Sequence, residues 1–246
     1  MTTHVNRVQH KSHSMLQAPL HPTKESTQPD GLTKFFLGCL SCCCSSSSKK
    51  KIERGFLHEM PLASTKAWRV FIYLVEGCEK YHLRKVGSFR TTERLSIVKA
   101  EESKLYEAAE NEGELKVAQE AFPTLLKDFL KNHIVPKVFC TTPHGFSFLS
   151  DKEQGEVMRT MVRNLADNNK RYLKRLLELW GRMVEEQENK MSSEALAKIF
   201  ARGVFPQNAT LTSLANELNK TEHEVAFLQK VIDDRKTLLK DTLQGV

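Results

Sequence analysis

Hydrophobic positions recur at helical spacing along most of the chain after about residue 52. Apolar residues spaced three or four apart lie on one face of an α-helix and pack into a core. The first clear series follows a start signal at residues 61–64 and predicts a helix that runs to about Tyr81. Its inward positions are Trp68, Phe71, Ile72, Val75 and Cys78.

The same spacing predicts several further helices. A second helix, either continuous or broken, is expected at about 92–111 and a third at about 115–132, where Pro123 predicts a kink or an interruption. A capping box at 150–153 opens the next helix, and Asn168-Asn169 separates it from a helix with Tyr172, Leu173, Leu176, Trp180 and Met183 inward. The remaining predictions are a helix at about 192–201, a weak helix near 212–218 and a last helix capped by residues 221–224.

The pattern therefore predicts an all-α domain of seven to nine helices. Residues 132–149 lose the helical period and contain Pro136, Pro143 and Gly145, which indicates a loop. No alternating strand pattern of useful length appears. Residues 1–31 are rich in Thr, Ser, His, Gln and Pro without any period, which predicts a disordered arm. We expect an arm over residues 1–51 and one helical domain over 52–246.

The formal net charge of +7 belongs mainly to the arm. Residues 1–51 contain seven Lys or Arg and two acidic residues, so the remaining chain is nearly neutral. Zinc-finger spacing, RNP-like aromatics and a long basic helix are all missing from the sequence, which excludes the usual nucleic-acid binders. No run of eighteen apolar residues exists, and the first residues lack the apolar core of a signal peptide. We expect a cytoplasmic chain with reduced thiols.

Four of the six cysteines lie close together in the arm, between an apolar stretch at 35–38 and a polybasic stretch. A zinc site would need a second pair of ligands, and none follows, so no metal is expected. Clustered thiols beside apolar and basic residues resemble a site of S-palmitoylation at the cytoplasmic face of an anionic membrane. The cysteines are Cys39, Cys42, Cys43 and Cys44, and the lysines are Lys49, Lys50 and Lys51. The alternative is a disordered linker that carries no lipid.

Four short motifs occur in the predicted domain in a fixed order. Residues 87–90 read Gly-Ser-Phe-Arg and residues 126–131 read Leu-Lys-Asp-Phe-Leu-Lys. Residues 165–169 read Leu-Ala-Asp-Asn-Asn, and residues 189–200 begin with Asn-Lys-Met and end with Phe. In this order and at these separations the motifs resemble the core of the Rho GTPase-activating (RhoGAP) domain. The resemblance extends over about residues 53–240 and implies a RhoGAP-like helical bundle.

The resemblance implies roles for individual residues. Arg90 would be the arginine that enters the nucleotide site of a bound GTPase of the Rho, Rac or Cdc42 type, and Gly87 would form its turn. Lys127 would support the loop that carries Arg90 and contact the GTPase. Lys131 stands where the family usually has arginine, and Asn189 opens the fourth motif. No cofactor is expected in this chain, because GTP and Mg²⁺ belong to the GTPase.

Two functions stay open at the level of sequence. The first is a GTPase-activating protein with an arginine finger. The second is a catalytically weak or inactive module that binds a GTPase or another signalling partner. Arg90 and Lys127 favour the first. Ala195 and Gly203 favour the second, because the family has asparagines at these two positions and the one that falls on Gly203 contacts the GTPase.

Overall fold

The fold is built from short and medium-length α-helices joined by tight connections. The structure, a computed structural model, describes residues 59–90, 95–207 and 214–245. Within these ranges eight α-helices occur, which confirms the predicted all-α class and helix number. They are α1 (Thr65–His82), α2 (Leu95–Glu110), α3 (Phe122–Asp128), α4 (Asp151–Arg163), α5 (Asp167–Glu185), α6 (Ser193–Val204), α7 (Leu214–Asp233) and α8 (Arg235–Asp241).

Helix α1 follows the predicted pattern closely. Its N-cap is Ser64, whose side chain accepts a hydrogen bond from the backbone N–H of Ala67 at 3.1 Å. Of the predicted inward residues, Phe71, Val75 and Cys78 are fully buried, whereas Trp68 and Ile72 are partly buried against the core. Each fully buried side chain of the size of Phe or Val contributes roughly 1.5–3 kcal/mol to folding. The apolar stripe therefore holds α1 in the core.

Helix α3 begins later than the sequence pattern predicts. A 3₁₀ turn at Gln119–Ala121 leads into it, and Pro123 lies in the first helical turn, where its missing N–H group removes no intrahelical bond. The proline thus starts the α-helix and does not kink it. After Asp128 the chain continues as a π-helical turn, Phe129–His133, before it becomes extended at Ile134–Val135.

The Asn168-Asn169 pair does not separate two helices, as the sequence suggested. Both residues lie inside α5, and the break comes earlier, between Arg163 and Asp167. The side chain of Asn169 is buried because its amide donates hydrogen bonds to the carbonyl oxygens of Lys137 at 2.9 Å and Val138 at 2.7 Å. Its role is to hold the loop before α4 against α5.

The predicted cap at Thr221 is also wrong. Helix α7 passes through this residue without a break, and the Thr221 hydroxyl donates to the carbonyl oxygen of Glu217 at 2.8 Å. A threonine that bonds the carbonyl four residues earlier leaves the helix intact. The helix ends at Asp233, and α8 begins at Arg235.

Aromatic side chains join the helices in one core. Phe71 of α1 lies 4.5 Å from Tyr172 of α5, and Trp180 of α5 lies 5.2 Å from Phe200 of α6, measured between ring centroids. All four residues are buried. A two-residue strand, β1 (Met60–Pro61), pairs in parallel with β2 (Ile134–Val135) at the edge of this core.

The N-terminal predictions fall on residues that the structure does not describe. These are the disordered arm and the candidate anchor over residues 35–51, with its cysteines and lysines. In the part of the chain that is described, none of the helices has the length and apolar content needed to cross a membrane.

Candidate functional site

The Gly-Ser-Phe-Arg motif ends a tight loop, residues 83–90, that follows α1. Gly87 has a φ of 71°, in the left-handed region that glycine adopts at little cost. Two hydrogen bonds close the loop: the Arg90 N–H donates to the carbonyl oxygen of Gly87 at 2.8 Å, and the Ser88 hydroxyl donates to that of Lys85 at 2.8 Å. The backbone therefore turns sharply before Arg90.

Phe89 and Arg90 lie on opposite sides of this loop. Phe89 is only 1% exposed, and its ring centroid lies 5.6 Å from that of Phe200 in α6. Arg90 is exposed. The buried phenyl ring thus fixes the loop to the core and leaves the guanidinium of the next residue at the surface.

Lys127 connects α3 to the same loop. Its ammonium group donates a hydrogen bond to the carbonyl oxygen of Phe89 at 3.1 Å. The side chain is half-buried, and burial lowers the pKa of Lys127 because a charged ammonium group loses hydration there. The structure therefore brings Lys127 and the arginine loop together.

Asn189 joins the start of the loop to the end of α5. It is only 1% exposed, and its amide donates hydrogen bonds to the carbonyl oxygens of Leu83 at 2.6 Å and Met183 at 2.9 Å. Its side-chain oxygen accepts from the N–H of Met191 at 2.7 Å. The side chain of Asn189 thus joins the segment after α1, the end of α5 and the backbone at Met191.

The guanidinium of Arg90 reaches the residue after Asn189. Its Nη2 donates to the carbonyl oxygen of Lys190 at 3.3 Å. Lys190 has a φ of 54°, which is uncommon for a residue other than glycine. The fourth motif therefore contacts the arginine loop at both of its ends, at Leu83 and at Arg90.

Lys131 lies in the π-helical turn and is exposed. A residue that the motifs did not indicate, Lys137, closes this turn: its ammonium group donates to the carbonyl oxygens of Leu130, at 2.8 Å, and Lys131. Burial lowers the pKa of Lys137 to about 8. A lysine shortly after a helix end often bonds the last carbonyls, and this was the available signal.

One set of side chains in the described ranges has the composition of a metal site. Ligand atoms of Glu102, Asp128 and His133 lie within 4.8 Å of one another. The buried His133 Nε2 lies 2.8 Å from Glu102 Oε1 and 3.1 Å from Asp128 Oδ2. Burial and the neighbouring Asp128 raise the pKa of Glu102. These three side chains link α2 to Asp128 and to the π-helical turn that follows it.

Gly203 and Ala195, where the sequence departs from the RhoGAP motifs, both lie at packed positions. Gly203 is buried in α6, and a Cβ atom placed there would lie 3.1 Å from Leu130 Cβ. This distance is shorter than ordinary van der Waals contact, so the glycine allows α6 to approach the π-helical turn closely. Ala195 is partly buried in the first turn of α6.

The family model of the RhoGAP domain matches residues 69–209, which is more than half of the chain and includes all four motifs. The chain belongs to the RhoGAP domain family. Family membership supports a GTPase-activating function toward Rho-family GTPases in general and implies such a GTPase as a partner. No curated protein matches the chain.

Solved structures share the fold of this RhoGAP domain. One is the BH domain of Graf, the GTPase regulator associated with focal adhesion kinase, with 14% identity, a TM-score of 0.61 and coverage of 74% of this chain and 99% of that chain. Another is human Rho GTPase-activating protein 15, with 17% identity, a TM-score of 0.58 and coverage of 69% and 82% respectively. At these identities the likeness shows the fold.

Proposed function

We propose that this RhoGAP domain accelerates GTP hydrolysis by a Rho-family GTPase and that Arg90 is the arginine it supplies in trans. The observation that supports this proposal is the attachment of the Arg90 loop. Asn189 binds its first residue, Leu83, and Lys127 binds the carbonyl of Phe89, while Arg90 itself is exposed. A rigid loop with an exposed arginine at its end suits insertion into a partner.

The chemistry requires a positive charge at a defined place. As GTP is hydrolysed, negative charge develops around the transferred phosphoryl group, and catalysis is mainly positioning and electrostatic stabilisation. Guanidinium offers a permanent charge and planar donors that match phosphate oxygens. Arginines supplied in trans accelerate such reactions by about 10³- to 10⁵-fold, or roughly 4–7 kcal/mol of barrier.

Lys127 and Asn189 would act by holding this arginine in place. A group that is already oriented costs less entropy on reaching the transition state. In the proposal, Lys127 and Asn189 maintain the loop, and the exposed Lys131 contributes a charge to GTPase binding. Lysine keeps the charge that the family's arginine has here, without the planar pair of donors for a bidentate contact.

Single-turnover GTP hydrolysis by Rho, Rac and Cdc42-type proteins tests the proposal. Wild-type domain should accelerate at least one of them, and Arg90→Ala should remove most of that acceleration. Arg159→Ala is the matched control, because Arg159 is an exposed arginine of α4 outside the loop. If wild-type domain accelerates none of the panel, the catalytic proposal is refuted. If Arg90→Ala accelerates as well as wild type, Arg90 is not the finger.

Binding without catalysis is the second candidate function. It is favoured by Gly203 and Ala195, which lack the asparagine side chains of the family. The affinity of the domain for a GTPase loaded with a non-hydrolysable GTP analogue separates the two functions. Tight binding combined with no acceleration by wild type would support the binding module.

We also propose that the arm attaches the domain to the cytoplasmic face of a membrane. The support is the sequence alone: four clustered cysteines precede Lys49, Lys50 and Lys51. Acyl chains combined with a basic stretch bind membranes stably, whereas one chain binds marginally. Holding the domain and a lipid-bearing GTPase on one surface would raise their effective concentration.

Membrane fractionation before and after hydroxylamine, which cleaves thioesters, tests the attachment. The wild-type chain should leave the membrane fraction after treatment, and a variant with Cys39, Cys42, Cys43 and Cys44 changed to Ser should stay in the soluble fraction throughout. A wild-type chain found in the soluble fraction under every condition would contradict the proposal.

A further inference from the structure

The side chain of Arg90 is held by a backbone carbonyl of the fourth motif. Arg90 Nη2 donates to the Lys190 carbonyl oxygen at 3.3 Å, across 100 residues of sequence. Arg90 is exposed, so this contact gives its guanidinium one direction among the many that a surface arginine can adopt.

The position of that carbonyl is set independently of Arg90. Asn189, the residue before it, is buried and bonds Leu83 and Met183 through its amide, and its oxygen accepts from the N–H of Met191, the residue after Lys190. The peptide group that contains the Lys190 carbonyl is therefore attached to the core through the Asn189 side chain. Lys190 connects Asn189 to Met191 in a left-handed backbone conformation.

The left-handed conformation matters because it determines where the carbonyl points. Lys190 ends the 3₁₀ turn Gln187–Asn189 with a φ of 54°. Non-glycine residues in this region are uncommon, and they occur where the surrounding structure holds them there. A right-handed residue at this position would turn the carbonyl away from Arg90.

We propose that Lys190 is a positioning residue for Arg90: its left-handed backbone directs the carbonyl that orients the guanidinium before the GTPase binds. This inference rests on the proposed function of Arg90. The role belongs to the backbone of Lys190, whereas its exposed side chain is not needed for it. Misplacement of a catalytic group by about 1 Å can lower a rate by as much as about a hundredfold.

Two substitutions of Lys190 test the proposal, because one removes only the side chain and the other disfavours the left-handed backbone. Lys190→Gly removes the side chain and keeps the left-handed conformation accessible, whereas Lys190→Val disfavours that conformation through its β-branch. We expect Lys190→Val to lower the kcat of stimulated hydrolysis by about tenfold or more with little change in KM, and Lys190→Gly to stay within about twofold of wild type. In an Arg90→Ala background, Lys190→Val should cause no further loss.

Glu112 provides a matched control for backbone strain. It is an exposed residue with the same φ of 54°, in the turn after α2. Glu112→Val should therefore strain the backbone as Lys190→Val does, and it should leave kcat unchanged. Thermal unfolding of both variants shows whether the strain is comparable.

NMR of the isolated domain gives a second measurement that needs no GTPase. The guanidinium signal of Arg90, assigned by its loss in Arg90→Ala, should show slowed rotation in wild type and Lys190→Gly and faster rotation in Lys190→Val. Equal kcat for Lys190→Val and wild type, or equal guanidinium signals, would overturn the inference. If Arg90→Ala hydrolyses as fast as wild type, the proposed function fails, and the NMR result still decides whether Lys190 holds Arg90.

Discussion

The ammonium group of Lys127 donates a hydrogen bond to the carbonyl oxygen of Phe89, 3.1 Å away and one residue before Arg90. The two residues are 38 positions apart in sequence and belong to different elements, the loop after α1 and helix α3. The buried ring of Phe89 and the half-buried ammonium group of Lys127 thus hold the same peptide unit from two sides.

Lys127→Met should lower the activity of the domain and leave its stability nearly unchanged. Burial lowers the pKa of Lys127, which means that the charged form loses favourable hydration in the folded state. An apolar side chain of similar length avoids this cost, which offsets the hydrogen bond that the Phe89 carbonyl loses, so we expect the free energy of unfolding by urea denaturation to change by less than about 1 kcal/mol. Hydrolysis stimulated by the variant should fall about 10- to 100-fold, because the Phe89 carbonyl loses its donor.

Lys152→Met is the control for this substitution, since Lys152 is an exposed lysine of α4. It should change neither the stability nor the rate. A Lys127→Met domain with full activity would show that the contact with Phe89 does not support the loop.

Asn189→Ala should destabilise the whole domain. The change leaves the carbonyl oxygens of Leu83 and Met183 and the N–H of Met191 without the partners that Asn189 provides. Buried polar groups that lose a partner cost about 1–3 kcal/mol each, so we expect the three groups together to cost about 3–5 kcal/mol in urea denaturation. Asn164→Ala, at an exposed asparagine after α4, should cost less than about 0.5 kcal/mol.

Gly203→Ala and Gly155→Ala form a matched pair of helical glycines. At Gly155 a Cβ would meet the flexible end of Arg159 at 3.4 Å, so alanine should stabilise α4 by about 0.5–1 kcal/mol through its helix propensity. At Gly203 the Cβ would lie 3.1 Å from Leu130 Cβ, close to the backbone of the π-helical turn. Crowding of this kind costs about 1–3 kcal/mol and should cancel or exceed the propensity gain.

Thermal unfolding of both glycine variants measures this difference. An equal rise in Tm for the two would contradict the close approach of α6 to Leu130. Gly203→Asn, which restores the residue type that the family has at this position, should destabilise the domain further without raising the rate of GTP hydrolysis, because the position is buried.

Asp128→Asn should destabilise the domain in a pH-dependent manner. Burial acts to raise the pKa of Asp128, but hydrogen bonds from His133 and Asn132 outweigh burial and hold that pKa below its ordinary value. A carboxyl group with a lowered folded-state pKa stabilises the fold above its unfolded pKa of about 3.9. This stabilisation is lost as the pH falls through the folded-state pKa.

Urea denaturation of wild type and Asp128→Asn at pH 7 and near pH 3 checks the expectation. At pH 7 the variant should be less stable by about 1–3 kcal/mol, the range for a hydrogen-bonded charged group, and the difference should shrink at the lower pH. Asp167→Asn, at a side chain that is 90% exposed, should have little effect at either pH. A constant difference at both pH values would contradict the assignment.

Most helices and their inward faces were predictable from hydrophobic spacing. Tyr172, Leu173, Leu176, Trp180 and Met183 were expected to face inward in α5, and all five are buried. The predicted helix boundary was wrong where a polar residue makes tertiary contacts from inside a helix. Asn169 resembles a helix breaker in sequence, yet it lies inside α5 because its amide bonds the backbone of the preceding loop.

The sequence by itself determined the helical class, the core faces and the four motifs of the RhoGAP domain, because side-chain periodicity and motif spacing are local properties of the chain. Tertiary structure decided how the motifs meet. Lys127 and Asn189 converge on the Arg90 loop through hydrogen bonds that span 38 and 106 residues. The carbonyl of Lys190 joins them through a backbone conformation that its residue type does not favour. Such contacts depend on how helices pack, and no sequence period encodes them.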